Sequence, residues 1–208
     1  GSRLTNAFAP NSQPFTTFFG IGGNGDEQNS PTQTLINLFD SKDKRRDITV
    51  GVTSGFYNRD SVLVKLPTNT NQTYTKKFIT PVPVINDSKA NWKVIRYADV
   101  LLMLAEALNE NGKTTEALTY LNQVRARAGL TGYSNLTKDA TRANIYLERR
   151  LELSFEGVRW FDLVRTGQAY ATLQKDGMLP YMTVFPIPLS QIQLINNPTI
   201  FPQNEGYN

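Results

Sequence analysis

The chain contains no cysteine and no histidine among its 208 residues. Without cysteine there is no disulfide, no thiolate nucleophile and no cysteine-ligated metal. Without histidine the commonest general base and metal ligand is missing as well. Most familiar catalytic constellations are excluded together. Long apolar runs are also lacking: the longest, Val100–Ala105, is far short of the ~20 residues that cross a bilayer. The N-terminus shows no basic-then-apolar signal pattern, and Gly1 and Ser2 read as a cloning scar, so a signal peptide or lipid-modified cysteine could have been removed with upstream sequence. Charge of one sign is scarce too. Residues 1–92 carry 10 basic and 7 acidic side chains, residues 93–208 carry 12 and 11, and the net charge is +4. The densest basic cluster, Lys42 to Arg46, is interleaved with Asp40, Asp43 and Asp47, so no nucleic-acid partner is expected.

What is present is ordinary globular composition, 39% hydrophobic and 11% aromatic, in a length that fits one domain or two small ones. Beyond the scar at 1–2, the texture divides the chain into a loop-rich segment at 3–91 and a helical region at 92–208. The first segment is rich in Asn, Thr, Ser, Gly and Pro, with alternating stretches at Ile48–Val52, Ser61–Leu66 and Tyr74–Ile79 that predict short strands. Gly20 to Gly25 is too glycine-rich for regular structure and lacks the Gly-Lys-Ser/Thr ending of a phosphate-cradling loop, which predicts a flexible turn.

From Ile95 to Asn111 nearly every position is apolar or small, which describes a helix buried on most of its circumference. Asn111-Gly112 breaks it, Thr114 can cap a second helix, and Ala117, Leu118, Leu121, Val124 and Ala128 form one stripe before Gly129. The order of large, small and glycine positions from Leu101 to Val124 resembles a single tetratricopeptide repeat. A third helical region spans about Asp139 to Thr166, with Leu147, Leu151, Phe155 and Val158 as its stripe and Gly157 as a kink or break. After Gly177 the pattern turns extended, with Tyr181–Ile187 strand-like and Pro186 and Pro188 opposing a helix in the tail.

Asp99 and Glu106 share one face of the first helix, about 20° apart in projection. Two carboxylates there can bind a metal or pair with arginines such as Arg125, Arg149 or Arg159; with no histidine, ion pairing is the expectation. Glu148, Glu152 and Glu156 repeat at four-residue spacing, with Arg149, Arg159 and Arg165 placed to interleave as salt bridges. A di-iron bundle would want Glu-x-x-His pairs, which cannot exist here. Three aromatic segments remain: Phe15 to Phe19, Phe56-Tyr57-Asn58-Arg59, and Tyr74. A sugar site pairs an apolar ring face with amide and guanidinium donors, and the second segment offers both. Alternatively these rings anchor loops to the core.

Residues 96–107, RYADVLLMLAEA, and 121–129, LNQVRARAG, resemble the C-terminal part of the SusD/RagB family. The run ERRLELSFEGVRWFDLVRTG at 148–167 is similar to that family's signature, and FPIP at 185–188 with QNEGY at 203–207 is similar to its closing motif. The resemblance covers residues 92–208. It implies a mainly α fold, a portion of a SusD-like α-α superhelix, with tetratricopeptide-like hairpins, long irregular loops and a few short strands. It also implies a surface lipoprotein of the outer membrane of Bacteroidetes-type bacteria. Such a protein captures oligosaccharides, or sometimes peptides, and delivers them to a SusC-like TonB-dependent transporter.

Membrane attachment would come through an N-terminal lipid anchor absent from this chain, which reads as a C-terminal portion of a longer protein. No catalytic residue, cofactor or metal is expected. The matched motifs are scaffold, so the candidate ligand contacts Phe18, Phe19, Phe56, Tyr57, Asn58 and Arg59 rest on their own chemistry and loop placement. Two other readings are a peptide-binding or protein–protein scaffold of the same uptake complex, and a glycoside hydrolase using carboxylates such as Asp60 and Asp87.

Overall fold

The computed structural model describes residues 1–51, 55–57, 63–65 and 73–207. They form two compact units, Gly1–Gly157 and Val158–Asn208. Helices dominate, with short ones at the start: α1 (Leu4–Phe8), α2 (Gln13–Phe18), α3 (Gln33–Ile36) and α4 (Arg46–Val50). Two strands, β1 (Gly55–Tyr57) and β2 (Leu63–Lys65), pair antiparallel with Phe56 opposite Val64. The unit closes with α5 (Tyr97–Glu110), α6 (Thr114–Arg127) and α7 (Lys138–Glu152).

The α5–α6 hairpin forms because each helix carries an apolar stripe and Gly112 supplies the left-handed turn between them, at φ +79°. Leu101, Leu102 and Ala105 of α5 meet Leu118, Leu121 and Val124 of α6, and Ile145 of α7 completes the cluster. Burying each such side chain fully stabilises the fold by about 1.5–3 kcal/mol before entropy is counted. Asn109, fully buried, ties the three helices together: its Nδ2 donates to the Lys138 carbonyl at 3.0 Å and its Oδ1 accepts from Thr114 Oγ1 at 3.0 Å. Thr114 therefore bonds across the turn, while Thr137 caps α7 by accepting from the Ala140 amide.

Several expectations change. Helix α5 is buried on one side only: Tyr97 is 73% exposed, and Val100, Met103 and Leu104 are exposed with it. Composition records how apolar a helix is, and among the described residues the main packing of α5 is against α6 and α7 on one side. The stretch expected as a strand at Ile48–Val52 is instead α4 over Arg46–Val50, with Val50 buried beside Ile36, Phe39 and Leu151. A run this short fits either period. β2 lies inside the expected Ser61–Leu66 strand, whereas residues 74–79 form no ladder and contribute single bonds such as Lys76 N–H to the Ile48 carbonyl, 2.8 Å.

The glycine segment is packed rather than free. Gly22 N–H donates to the Val82 carbonyl at 2.6 Å, Val82 N–H returns to Gly20 at 2.8 Å, and Asn6 Nδ2 holds the Gly22 carbonyl at 2.9 Å. Gly25 is buried so close to the carbonyls of Ala9 and Pro10 that no Cβ fits. Here the glycines serve close approach of backbone to backbone.

The expected break at Gly157 is present, at φ +80°. Beyond it the second unit contains α8 (Arg159–Arg165), α9 (Ala169–Leu173), two 3₁₀ turns at Gln174–Asp176 and Pro180–Thr183, and α10 (Leu189–Ile195). Leu163, Ala169 and Met178 form its small core. The tail is thus more helical than its prolines implied. Pro188 stands at the N-cap of α10, where a missing N–H costs nothing, and its carbonyl accepts from Gln191 N–H at 2.9 Å.

Candidate functional site

The residues expected to touch ligand fall into two groups. Phe18 and Phe19 end α2 and meet edge to face, centroids 5.3 Å apart. Phe19 leans on the fully buried Phe15 at 4.5 Å, and Phe15 meets Tyr74 at 5.0 Å. Phe15, Tyr74, Ala9 and Ile21 form a core of their own, so these two rings anchor the loops. Burial, reinforced by Asp47, pushes the Tyr74 phenol well above its ordinary value. Phe18 is 48% exposed and offers a ring to solvent. The backbone of Phe56 and Tyr57 lies in β1; their side chains, and all of Asn58 and Arg59, lie outside the described residues, as does Asp60. Asp87 pairs with the chain's own terminal amine at 2.8 Å.

A third ring group was not anticipated. Phe8 stacks on Phe78 at 4.6 Å, and Phe78 lies parallel to Trp92 at 5.5 Å with 6° between the planes. Trp92 is 44% exposed at the end of this stack, a flat indole held by the rings behind it. In the sequence Trp92 marks only the change of texture; its position between polar Asn91 and Lys93 is the one signal of exposure.

Among the described residues, Asp99, Glu148, Glu152 and Glu156 lie in ion pairs. Asp99 accepts from Arg149 Nη1 at 2.8 Å between α5 and α7, the expected ion pairing. Among the described residues no cluster of three acids is placed to hold a metal. Glu148, Glu152 and Glu156 are salt-bridged as expected, but with other partners. Arg45, from the turn into α4, reaches Glu152 Oε2 at 3.0 Å and Glu148 Oε1 at 2.6 Å, and clamps Asp43 with Nε and Nη2. Arg125 takes the other Glu148 oxygen at 3.1 Å, and Arg127 Nη2 lies 2.7 Å from both oxygens of Glu152.

Arg96 binds Glu152 and Glu156 together. Lys77 Nζ donates to Glu156 Oε1 at 2.7 Å and to the carbonyls of Glu152 and Ser154. Arg165, expected to interleave with the stripe, pairs with Asp162 at 2.8 Å inside the second unit. Helix α7 stops at Glu152 and Phe155 turns left-handed at φ +68°, so Glu156 leaves the helical stripe. Burial raises the Glu152 carboxyl, and hydrogen bonds from Arg45 and Arg96 outweigh it, leaving the group below the usual carboxylate range. Burial dominates at Lys77 and lowers its ammonium, with Glu156 opposing.

This network forms the wall of a cleft of about 370 Å³ in the first unit. Lys44, Arg45, Lys77, Lys93, Arg96 and Arg127 line it, with the carboxylates of Glu152 and Glu156 between them.

The sequence model of the SusD family matches residues 4–207. The chain belongs to the SusD family. SusD-like protein P2 of Formosa agariphila is 35% identical over 135 residues, covering 58% of this chain and 27% of that protein. Surface glycan-binding protein A from Bacteroides thetaiotaomicron, in a structure with laminarihexaose, aligns with a TM-score of 0.73 at 25% identity, over 98% of this chain and 46% of that one. A laminarin binding SusD-like protein aligns with a TM-score of 0.72 at 31% identity, over 100% of this chain and 44% of that one. The match therefore spans less than half the length of these relatives. Two of the motifs that carried the SusD resemblance supply ion pairs between elements: residues 96–107 provide Arg96 and Asp99, and residues 148–167 provide Glu148, Arg149, Glu152 and Glu156.

Proposed function

We propose that this SusD-family chain serves a surface-exposed, glycan-binding protein of the outer membrane that captures oligosaccharides and hands them to a SusC-like TonB-dependent transporter without cleaving them. The observation that carries the reading is its alignment, over nearly its whole length, with a surface glycan-binding protein holding laminarihexaose. The chemistry agrees. Glycan capture needs exposed rings with fixed orientation, and Phe18 and Trp92 are exposed rings braced from behind. Phe18 and Phe19, with the Phe56-Tyr57-Asn58-Arg59 segment, are the proposed ligand contacts, and Trp92 joins them. The non-enzymatic reading is supported, among the described residues, by the ion pairs that hold Asp99, Glu148 and Glu152.

Intrinsic fluorescence during titration with laminarihexaose tests these contacts. Phe18→Ala, Trp92→Ala and the pair Phe56→Ala with Tyr57→Ala each weaken binding about tenfold if their rings stack on sugar. Unchanged affinity in all three would remove the site assignment.

A second reading, a peptide-binding or protein–protein scaffold of the same complex, is favoured by the exposed apolar line Tyr97, Val100, Met103 and Leu104 on α5. Co-purification of a barrel transporter that Leu104→Lys abolishes, with no glycan binding at any concentration, would establish it over the first.

A further inference from the structure

We infer that the cationic cleft between the turn into α4, the start of α5 and the ends of α6 and α7 binds an anionic group of the carboxylate or sulfate class. The charge count is the first argument. Six cations line this cleft against two carboxylates, in a chain whose net charge is only +4. Adding the acids and base behind the wall, Asp43, Glu148 and Arg125, leaves seven cations against four carboxylates. A network built solely to hold helices together has no need of that surplus, because each added cation raises repulsion unless an anion joins it.

The placement of the surplus is the second argument. Glu152 is already saturated by Arg45, Arg96 and Arg127, so its charge is compensated within the wall. Among the described residues Lys44 and Lys93 form no ion pair, and both are exposed at the rim. The Lys44 stem lies against the Gly129 turn, with Cε 3.0 Å from where a Cβ would stand. Arg127 is 57% exposed and spends one nitrogen on Glu152, leaving donors for a second acceptor. The free donors of Arg127 and the ammonium groups of Lys44 and Lys93, on the lining of one open volume, suit a carboxylate or a tetrahedral sulfate. A volume of about 370 Å³ accommodates a group of monosaccharide size.

The inference is independent of the ring contacts proposed for neutral glycan, because its probes need no stacking. The 208-residue chain is titrated by NMR at low salt with glucuronate, glucose 6-sulfate, glucose and inorganic sulfate. Glucuronate and glucose 6-sulfate are expected to bind saturably, glucose to leave the cleft signals unmoved, and added sodium chloride to weaken binding. The double substitution Lys44→Ala with Lys93→Ala, outside the ion-pair network and so expected to fold, weakens anion binding about tenfold. Sugar sulfate binding at least about tenfold tighter than inorganic sulfate makes the ligand a glycan-borne anion, and equal affinities make it a free oxyanion. Absence of binding by every anion, or binding that the double substitution leaves unchanged, overturns the inference. Loss of neutral-glycan binding by the aromatic variants leaves it standing.

Discussion

The Arg96 guanidinium holds the Glu156 carboxylate with two hydrogen bonds, Nε to Oε2 at 2.6 Å and Nη2 to Oε1 at 2.9 Å, across 60 residues of chain. Its remaining nitrogen, Nη1, donates to Glu152 Oε1 at 2.9 Å, and Nη2 donates also to the Glu152 carbonyl at 3.1 Å. One side chain at the entrance of α5 thereby fixes both the end of α7 and the segment that follows it.

Glu152 is the hub of this lattice, held by Arg45, Arg96 and Arg127. Glu152→Gln keeps the shape and removes the charge, leaving cations without their counterion in a mostly buried place. The expected loss is about 3 kcal/mol in urea unfolding. A loss under about 0.5 kcal/mol, the range of an ordinary surface change, would mean the lattice contributes little.

Acid should act through the same group. Glu152 titrates below its ordinary 4.5, and Glu110, hydrogen-bonded by Arg142, is held down at about 2. A carboxyl depressed in the folded state adds stability above its unfolded value, and that stability is lost as pH falls through the folded one. The urea midpoint is therefore expected to hold from pH 7 to about 5 and to drop below about 4.5. Glu152→Gln should reduce that drop, and an identical acid profile in the variant would contradict it.

Leu121, fully buried in the α5–α6 hairpin, tests the packing. Leu121→Ala is expected to cost about 3 kcal/mol by loss of burial plus the cavity left behind. Thermal unfolding followed by circular dichroism reads it.

The glycine segment separates close approach from turn geometry. Gly25→Ala drives a methyl into the carbonyls of Ala9 and Pro10 and should cost about 2 kcal/mol or more. Gly112→Ala meets nothing within 4 Å and should cost only the left-handed backbone, about 1 kcal/mol. Equal losses would show that Gly25 is not confined as described.

The sequence revealed the helical region because its signals are local: the stripe Ala117, Leu118, Leu121, Val124 and Ala128 is wholly buried, and the break at Gly157 falls where expected. The ion pairing of Asp99 was legible for a related reason, since a buried carboxylate requires a partner and Arg149 was near enough to consider. The partners of Glu152 were not. Arg45 stands 107 residues away, and no periodicity connects residues that the fold alone brings together. The short elements failed for want of length: five residues at 46–50 fit a strand or a helix equally well until Val50 finds its core. The exposed side of α5 and the ring stack ending in Trp92 depend on what packs behind or beside them, which composition does not record.

Isothermal titration with laminarihexaose and a panel of other soluble oligosaccharides, each recovered afterwards and checked for length, tests glycan capture most directly. Glycan capture predicts saturable binding of at least one oligosaccharide, recovered intact. No saturable heat across the panel, or recovery of shortened sugar, would contradict it.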